Sequence, residues 1–201
     1  MRIKSKRKLF EEGCKLLSGF CGLNNIQAPE VVKVFPFKWM VRECAYYRPR
    51  IIHICLERCA SIGLGGWAWS YPSYVIDRTP YGVLQHELGH HVDWLRGKNK
   101  GKYYSEFSVN LRKRSKDKPL TGYCPNDAEW FAEMFRLFVT NPDLLRILKP
   151  NAYHEIIAAG FKPYFHDEWC ARLRGAPSRI AWQAEKKVEA IRAKGGSTPL
   201  F

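Results

Sequence analysis

Two histidines four residues apart, with a glutamate directly after the first, are the residues of this sequence best suited to chemistry. His86, Glu87 and His90 form the pattern HExxH. On a helix, residues i and i+4 project from the same face about one turn apart, so His86 and His90 can bind one metal ion from one side. Glu87 would then face the water on that metal. A catalytic zinc site needs three protein ligands and an open position, so the pattern predicts a further ligand elsewhere in the chain.

The residues around this pattern favour a helix. Pro80 lies where a proline is tolerated at a helix start, and Gly97 lies where a glycine often follows a helix end. Between them, four side chains recur at helical spacing: Leu84, Leu88, His91 and Leu95. The alternative is a helix with solvated histidines and a surface glutamate, because the pentapeptide by itself also occurs without a metal.

A second segment, residues 126–138, offers the missing ligand. Its spacing predicts an amphipathic helix with an aromatic stripe, and Glu129 and Glu133 lie four apart on a different stripe. In zinc sites one carboxylate binds the metal, and another accepts the N–H of a ligand histidine and fixes its tautomer. Two solvated glutamates are the alternative. Beside an HExxH motif, we favour the functional interpretation and expect Zn²⁺ as the cofactor.

Such a set of residues would hydrolyse a peptide bond. Zinc bound by two histidines and one carboxylate lowers the pKa of its water to about 7. Glu87 would accept the proton as this water attacks a peptide carbonyl, and would then deliver it to the departing nitrogen. Zinc and a phenol or similar donor would stabilise the developing oxyanion. We therefore expect a protein or peptide substrate.

The two segments together resemble the catalytic domain of anthrax lethal factor and its relatives in toxins and phages, which are zinc peptidases of the gluzincin type. That family has an HExGHxxD helix, then a TxY segment and a helix of the form NExEFFAExFR. The stretch from Tyr123 to Glu129 is one residue shorter here than in lethal factor. The matching residues are His86, Glu87, Gly89, His90, Asp93, Thr121, Tyr123, Asn126, Glu129, Phe131, Ala132, Glu133, Phe135 and Arg136.

The resemblance implies a role for each matching polar residue. Glu87 would be the general base, and Tyr123 would donate a hydrogen bond to the oxyanion or to the leaving amine. Glu133 would support a ligand histidine from behind. The implied zinc ligands are His86, His90 and Glu129. The resemblance thus implies a zincin-like metallopeptidase encoded by a toxin-producing cell or a phage.

An edge strand before the metal helix pairs with the substrate backbone in zincins. By that analogy residues 66–76 would form the cleft wall and bind an extended peptide by strand addition. Trp67, Trp69 and Tyr71 would then contact the substrate. Ordinary packing of these aromatic side chains in the core or in a hairpin is the alternative.

The order of the predicted elements favours an α+β fold, with a small mixed sheet before the HExxH helix and a helical C-terminal part, in a single domain over residues 1–201. The segment between the HExxH helix and the Glu129 helix is expected to be a loop. The other predicted elements are a basic N-terminal helix at 5–20 (an element of about residues 1–22), strands at 31–37 and 50–56, short helices at 143–148 and 152–159, and a C-terminal helix at about 178–194.

The net charge of +14 needs a separate explanation. Positive charge is concentrated at Arg2–Lys8 and at Lys98–Lys118, and the second cluster lies between the two segments that bear the predicted ligands. Nucleic acid, an acidic protein substrate and a solvated surface are the three interpretations. The alternative function is therefore a basic nucleic-acid-binding protein with a structural or inactive zinc site.

Cysteine count and hydropathy bear on the compartment. Seven cysteines cannot all pair internally, and their dispersal favours buried reduced thiols. A second metal site at His53, Cys55 and Cys59 is disfavoured because no second cysteine pair completes it. No apolar run reaches membrane-spanning length, and the charged N-terminus lacks the apolar stretch of a Sec signal. We expect a cytoplasmic protein, in the producing or the host cell, without a membrane partner.

Overall fold

The computed structural model describes residues 6–36, 44–60, 77–97, 105–120 and 126–164. Over these residues the chain is α+β, as the sequence predicts, and it consists of six helices and a three-stranded mixed sheet. The predicted C-terminal helix at 178–194 and the predicted cleft wall at 66–76 lie outside the described residues. The elements are α1 (Lys6–Leu23), β1 (Glu30–Lys33), β2 (Ala45–Arg48), β3 (Ile51–Ile54), α2 (Pro80–Arg96), α3 (Glu106–Ser115), α4 (Asp127–Thr140), α5 (Pro142–Leu148) and α6 (Pro150–Ala158).

The sheet has β3 at its centre, paired in parallel with β1 and in antiparallel with β2. The two predicted strands exist but are shorter than expected, and β2 was not predicted. A tight turn joins β2 to β3, with Arg50 in the left-handed region at φ 70°. Ile52 and Ile54 are fully buried, so the sheet contributes one apolar face to the core.

Helix α1 packs on α2 through the apolar side that the sequence predicts. The buried residues of this side are Leu9, Phe10, Leu16, Leu17 and Phe20. Gly13 lets the two helices approach closely, because a Cβ there would lie 3.1 Å from the Tyr81 Cα. The Gln85 side chain donates to the Gly13 carbonyl at 2.9 Å, which fixes the rotation of α2 against α1.

Helices α2 and α4 carry the predicted ligands and approach each other at Gly89. A Cβ at this position would lie 2.7 Å from the Ala132 Cα, a separation that real Cβ atoms do not reach. The aromatic stripe of α4 is buried, with Phe131, Phe135 and Phe138 fully inaccessible to solvent. The small residues at the crossing therefore set the distance between the two helices.

The expectation of a loop between α2 and α4 was wrong, because residues 106–115 form α3. Ser105 caps this helix by accepting the Phe107 N–H at 3.1 Å. The buried Asp93 carboxylate of α2 accepts both the N–H and the hydroxyl of Ser108, each at 3.0 Å. The many lysines and arginines leave this helix little apolar periodicity, and its first turn is stabilised by the local cap Ser105 and by Asp93 of α2.

The two short C-terminal helices lie close to their predicted positions, and each begins at a proline, Pro142 or Pro150. Proline is favoured in the first turn because it has no N–H to leave unpaired. Asn141 caps α5 by accepting the Leu144 N–H at 3.1 Å. None of the described helices combines the length and the apolar character that crossing a bilayer requires.

Candidate metal centre

The side chains of His86, His90 and Glu129 meet between α2 and α4. The Glu129 Oε2 lies 3.1 Å from His86 Nε2 and 3.5 Å from His90 Nε2. One ligand atom from each of the three residues lies within 4.8 Å of the other two, and no other such group of three is found among the described histidines, cysteines and acids. The Asn126 side chain caps α4 by accepting the Glu129 N–H at 2.9 Å, so the backbone at Glu129 is fixed locally.

A buried chain of charged groups supports His86 from its other side. The Glu133 Oε1 lies 2.8 Å from His86 Nδ1, and Arg136 Nη2 donates to Glu133 Oε2 at 2.7 Å. Arg136 Nη1 also donates to the Asp77 carbonyl at 3.0 Å. Glu133 is 6% exposed and Arg136 is 3% exposed, so these bonds hold the imidazole without competition from bulk water.

Both ring nitrogens of His86 therefore face carboxylate oxygens. A neutral imidazole has only one N–H and can donate to only one of them. Burial lowers the pKa of His86, but the hydrogen bonds and charges of Glu129 and Glu133 outweigh it and raise the pKa to about 10. For Glu129, burial raises the pKa, and the two histidines reverse this and lower it well below its usual value. The position between the three side chains thus attracts positive charge, from a proton or from a metal ion.

Glu87 is the acidic residue of HExxH, and it is 6% exposed. Burial raises the pKa of its carboxyl, while the charges of His86 and His90 act in the opposite direction. Because Glu129 also acts on it electrostatically, Glu87 belongs to the same site. A carboxyl with a raised pKa is a more effective proton acceptor than an exposed glutamate.

His91 follows the predicted ligand His90 and is engaged elsewhere. Its Nε2 donates to the Gln27 carbonyl at 2.8 Å, and its Nδ1 lies 3.0 Å from the Tyr47 hydroxyl. The same hydroxyl accepts the Arg50 N–H at 2.9 Å. This network ties α2 to the hairpin of β2 and β3, and sequence reasoning missed it because the partners are far apart along the chain.

The remaining predicted site residues all lie outside the described residues: Tyr123, Trp67, Trp69 and Tyr71. Arg136 was noted only as a match to the family pattern, although its place three residues after Glu133 on a helix is a signal for their ion pair. His53, Cys55 and Cys59 form no metal-binding group in the part of the chain that the structure describes.

The basic segment Lys98–Lys118 is described by the structure only from residue 105 onwards. Two of its arginines are paired with acids of neighbouring helices. Arg112 bonds Asp127 at 2.8 Å, and Arg114 bonds Glu155 at 2.6 Å. Part of the positive charge of this segment therefore serves contacts between helices.

No family model, curated protein or solved structure matches the chain. The geometry of the site is therefore the basis for a functional conclusion.

Proposed function

We propose that this protein is a zinc-dependent endopeptidase of the gluzincin type with a zincin-like fold. One observation supports this more than any other. His86 and His90 on one helix and Glu129 on another converge to within 4.8 Å, with the acid Glu87 beside them. The small mixed sheet, the HExxH helix and the following helix with the third acid occur in the order expected for such a fold.

The chemistry of the three side chains fits zinc. Two imidazoles and one carboxylate are a ligand set of catalytic zinc sites, in which one coordination position stays open for water or substrate. Glu133 Oε1 lies 2.8 Å from His86 Nδ1 and would accept its N–H when zinc is bound, which would leave the Nε2 lone pair for the metal. His86, His90 and Glu129 would hold the ion. Zinc, when bound, lowers the pKa of a water to about 7 and polarises a substrate carbonyl.

Glu87 is the proposed general base. It would accept a proton from the attacking water and donate it to the amide nitrogen as the peptide bond breaks, which leaves the carboxylate ready for the next cycle. Its burial favours this exchange, since a carboxylate in a less polar site takes up a proton more readily. The role of Tyr123 as a hydrogen-bond donor to the oxyanion stays a prediction from the resemblance.

Metal analysis combined with peptide cleavage tests the proposal. We expect one zinc per wild-type chain and cleavage within a library of peptides. Glu87→Gln should retain zinc and lose cleavage, and Glu129→Ala should lose both. Glu106→Gln, at an exposed acid of α3, is the matched control and should change neither.

Two results would contradict the proposal. One is a wild-type protein that binds no zinc. The other is zinc binding with no cleavage of any peptide in the library. If zinc then stays bound and nucleic-acid affinity is the same in wild type and Glu87→Gln, the alternative of a basic nucleic-acid-binding protein is favoured.

A further inference from the structure

Three cysteines lie together outside the candidate metal centre, where the start of β2 meets the turn after β3. The Cys55 N–H donates to the Cys44 carbonyl at 2.9 Å, across the end of the antiparallel pair. Cys59 follows within the turn, and its thiol donates to the Cys55 carbonyl at 3.5 Å. All three are free thiols, and the most exposed of them, Cys44, is 7% accessible.

Cys44 and Cys59 are neighbouring thiols of this cluster, and each influences the pKa of the other. The Cys44 thiol donates to the carbonyl of Arg58, the residue directly before Cys59, at 3.3 Å. The pairing of β2 with β3 brings the two sulfurs together despite their separation along the chain. Neighbouring thiols of this kind can be joined by an S–S bond of about 2.05 Å.

Cys44 has the surroundings of a reactive thiol. Arg78 Nη2 donates to its sulfur at 4.0 Å, which places a positive charge beside it. The neighbouring Cys59 lowers the pKa of Cys44 to about 7, against the opposing effect of burial and with help from Arg78. The neighbouring Cys44 and burial raise the pKa of Cys59, so it stays protonated. Since the thiolate is the nucleophile, Cys44 is the residue of the pair that reacts first.

We propose that Cys44 and Cys59 form a redox site that hydrogen peroxide converts into a reversible disulfide. In the first step the Cys44 thiolate attacks one peroxide oxygen: an S–O bond forms, the O–O bond breaks, and the departing hydroxide takes up a proton to give water. In the second step the Cys59 sulfur attacks the Cys44 sulfur: an S–S bond forms, the S–O bond breaks, and hydroxide leaves with the thiol proton as water. Two thiols and one peroxide thus give one disulfide and two waters.

The inference does not depend on the proposed peptidase activity. It concerns different residues and a different reactant, and a protein without zinc or without cleavage would still show it. The thiols are nearly inaccessible to solvent, so a small oxidant is the expected reaction partner, and the larger reagents dithiothreitol and dimedone are applied after the protein is unfolded. Reduction by a dithiol reagent should restore both thiols, as for other protein disulfides that exchange with external thiols.

Peptide mapping after peroxide treatment of the full-length protein tests the proposal. Trypsin does not cleave between Arg48 and Pro49, so it places each of the three clustered cysteines in a different peptide. These peptides are 43–50 with Cys44, 51–58 with Cys55, and 59–78 with Cys59. We expect a crosslink between 43–50 and 59–78 that dithiothreitol removes. Cys21 is an internal reference, because burial raises its pKa to about 12, and it should react at least about tenfold more slowly.

Two substitutions define the order of the steps. Cys59→Ser should leave a sulfenic acid on Cys44 that dimedone traps, whereas Cys44→Ser should yield neither a sulfenic acid on Cys59 nor a crosslink. Cys21→Ser is the matched control and should behave like wild type. A wild-type crosslink that involves Cys55, oxidation of Cys21 as fast as that of Cys44, or no crosslink at all would overturn the proposal, and none of these results depends on how the variants fold.

Discussion

Replacement of Glu133 by glutamine should weaken zinc binding about tenfold. The glutamine keeps an oxygen that accepts the Nδ1–H of His86, so a charged acceptor becomes a neutral one. Hydrogen bonds to charged groups contribute about 1.5–3 kcal/mol and neutral ones about 0.5–1.5 kcal/mol. The difference of roughly 1.4 kcal/mol corresponds to about one factor of ten in affinity. Glu133→Ala removes the bond entirely and should cost about 100-fold.

Glu133→Gln also breaks the buried ion pair with Arg136, in which Arg136 Nη2 lies 2.7 Å from Glu133 Oε2. Loss of one partner of a buried ion pair typically costs about 3–5 kcal/mol of unfolding free energy. Arg136→Met separates the two effects, since it breaks the pair and leaves the carboxylate on His86. Its stability should fall, and its zinc affinity should change less than that of Glu133→Gln.

Competition with a chromophoric chelator measures the zinc Kd at a temperature where every variant is folded. Glu155→Gln is the control, because Glu155 pairs with Arg114, whose side chain is 53% exposed. This variant should keep the wild-type Kd and lose less than about 1 kcal/mol of stability. A Kd of Glu133→Gln within about threefold of wild type would refute the reasoning, because the carboxylate would then have no influence on the ligand histidine.

Three further predictions follow from the packing and from the site. Gly89→Ala should lower the unfolding free energy by about 1–3 kcal/mol and weaken zinc binding, because its Cβ would push α2 away from Ala132; denaturant titration and the chelator assay check both effects. Asp93→Ala should lower the free energy of unfolding by about 3 kcal/mol in the same titration, because the buried N–H and hydroxyl of Ser108 lose their acceptor. A decrease no larger than that for a substitution at an exposed site would contradict this. When free zinc is present at about 100 times its Kd, its removal should lower the free energy of unfolding by about 2.7 kcal/mol. Calorimetry should then record a Tm lower by about 5–10 °C, and an unchanged Tm would argue against a bound ion.

The sequence was informative about single helices and uninformative about how they meet. The bounds of α2 follow from Pro80 and Gly97, and the apolar face of α1 follows from its spacing. The distance between His86 and Glu129 has no local signal, because it is set by the close contact of Gly89 with Ala132. The resemblance to the lethal factor family predicted that His86 and Glu129 bind one metal, whereas their proximity depends on the packing of α2 against α4.

Missed features share a physical cause, because each depends on partners far away in sequence. Helix α3 has little apolar periodicity of its own and depends on the Asp93 carboxylate of α2. The thiols of Cys44 and Cys59 meet only because β2 pairs with β3, and β2 itself was not predicted. His91 was noted only for its helical spacing, and its hydrogen-bond partners are the Gln27 carbonyl and the Tyr47 hydroxyl.

A crystal structure of the zinc-loaded protein with anomalous diffraction at the zinc edge is the most direct test of the proposed metal centre. We expect one anomalous peak between α2 and α4, with His86 Nε2, His90 Nε2 and a Glu129 carboxylate oxygen at about 2.0–2.2 Å. A peak elsewhere in the molecule, or a zinc ion bound to the histidines with Glu129 directed away from it, would contradict the proposed ligand set.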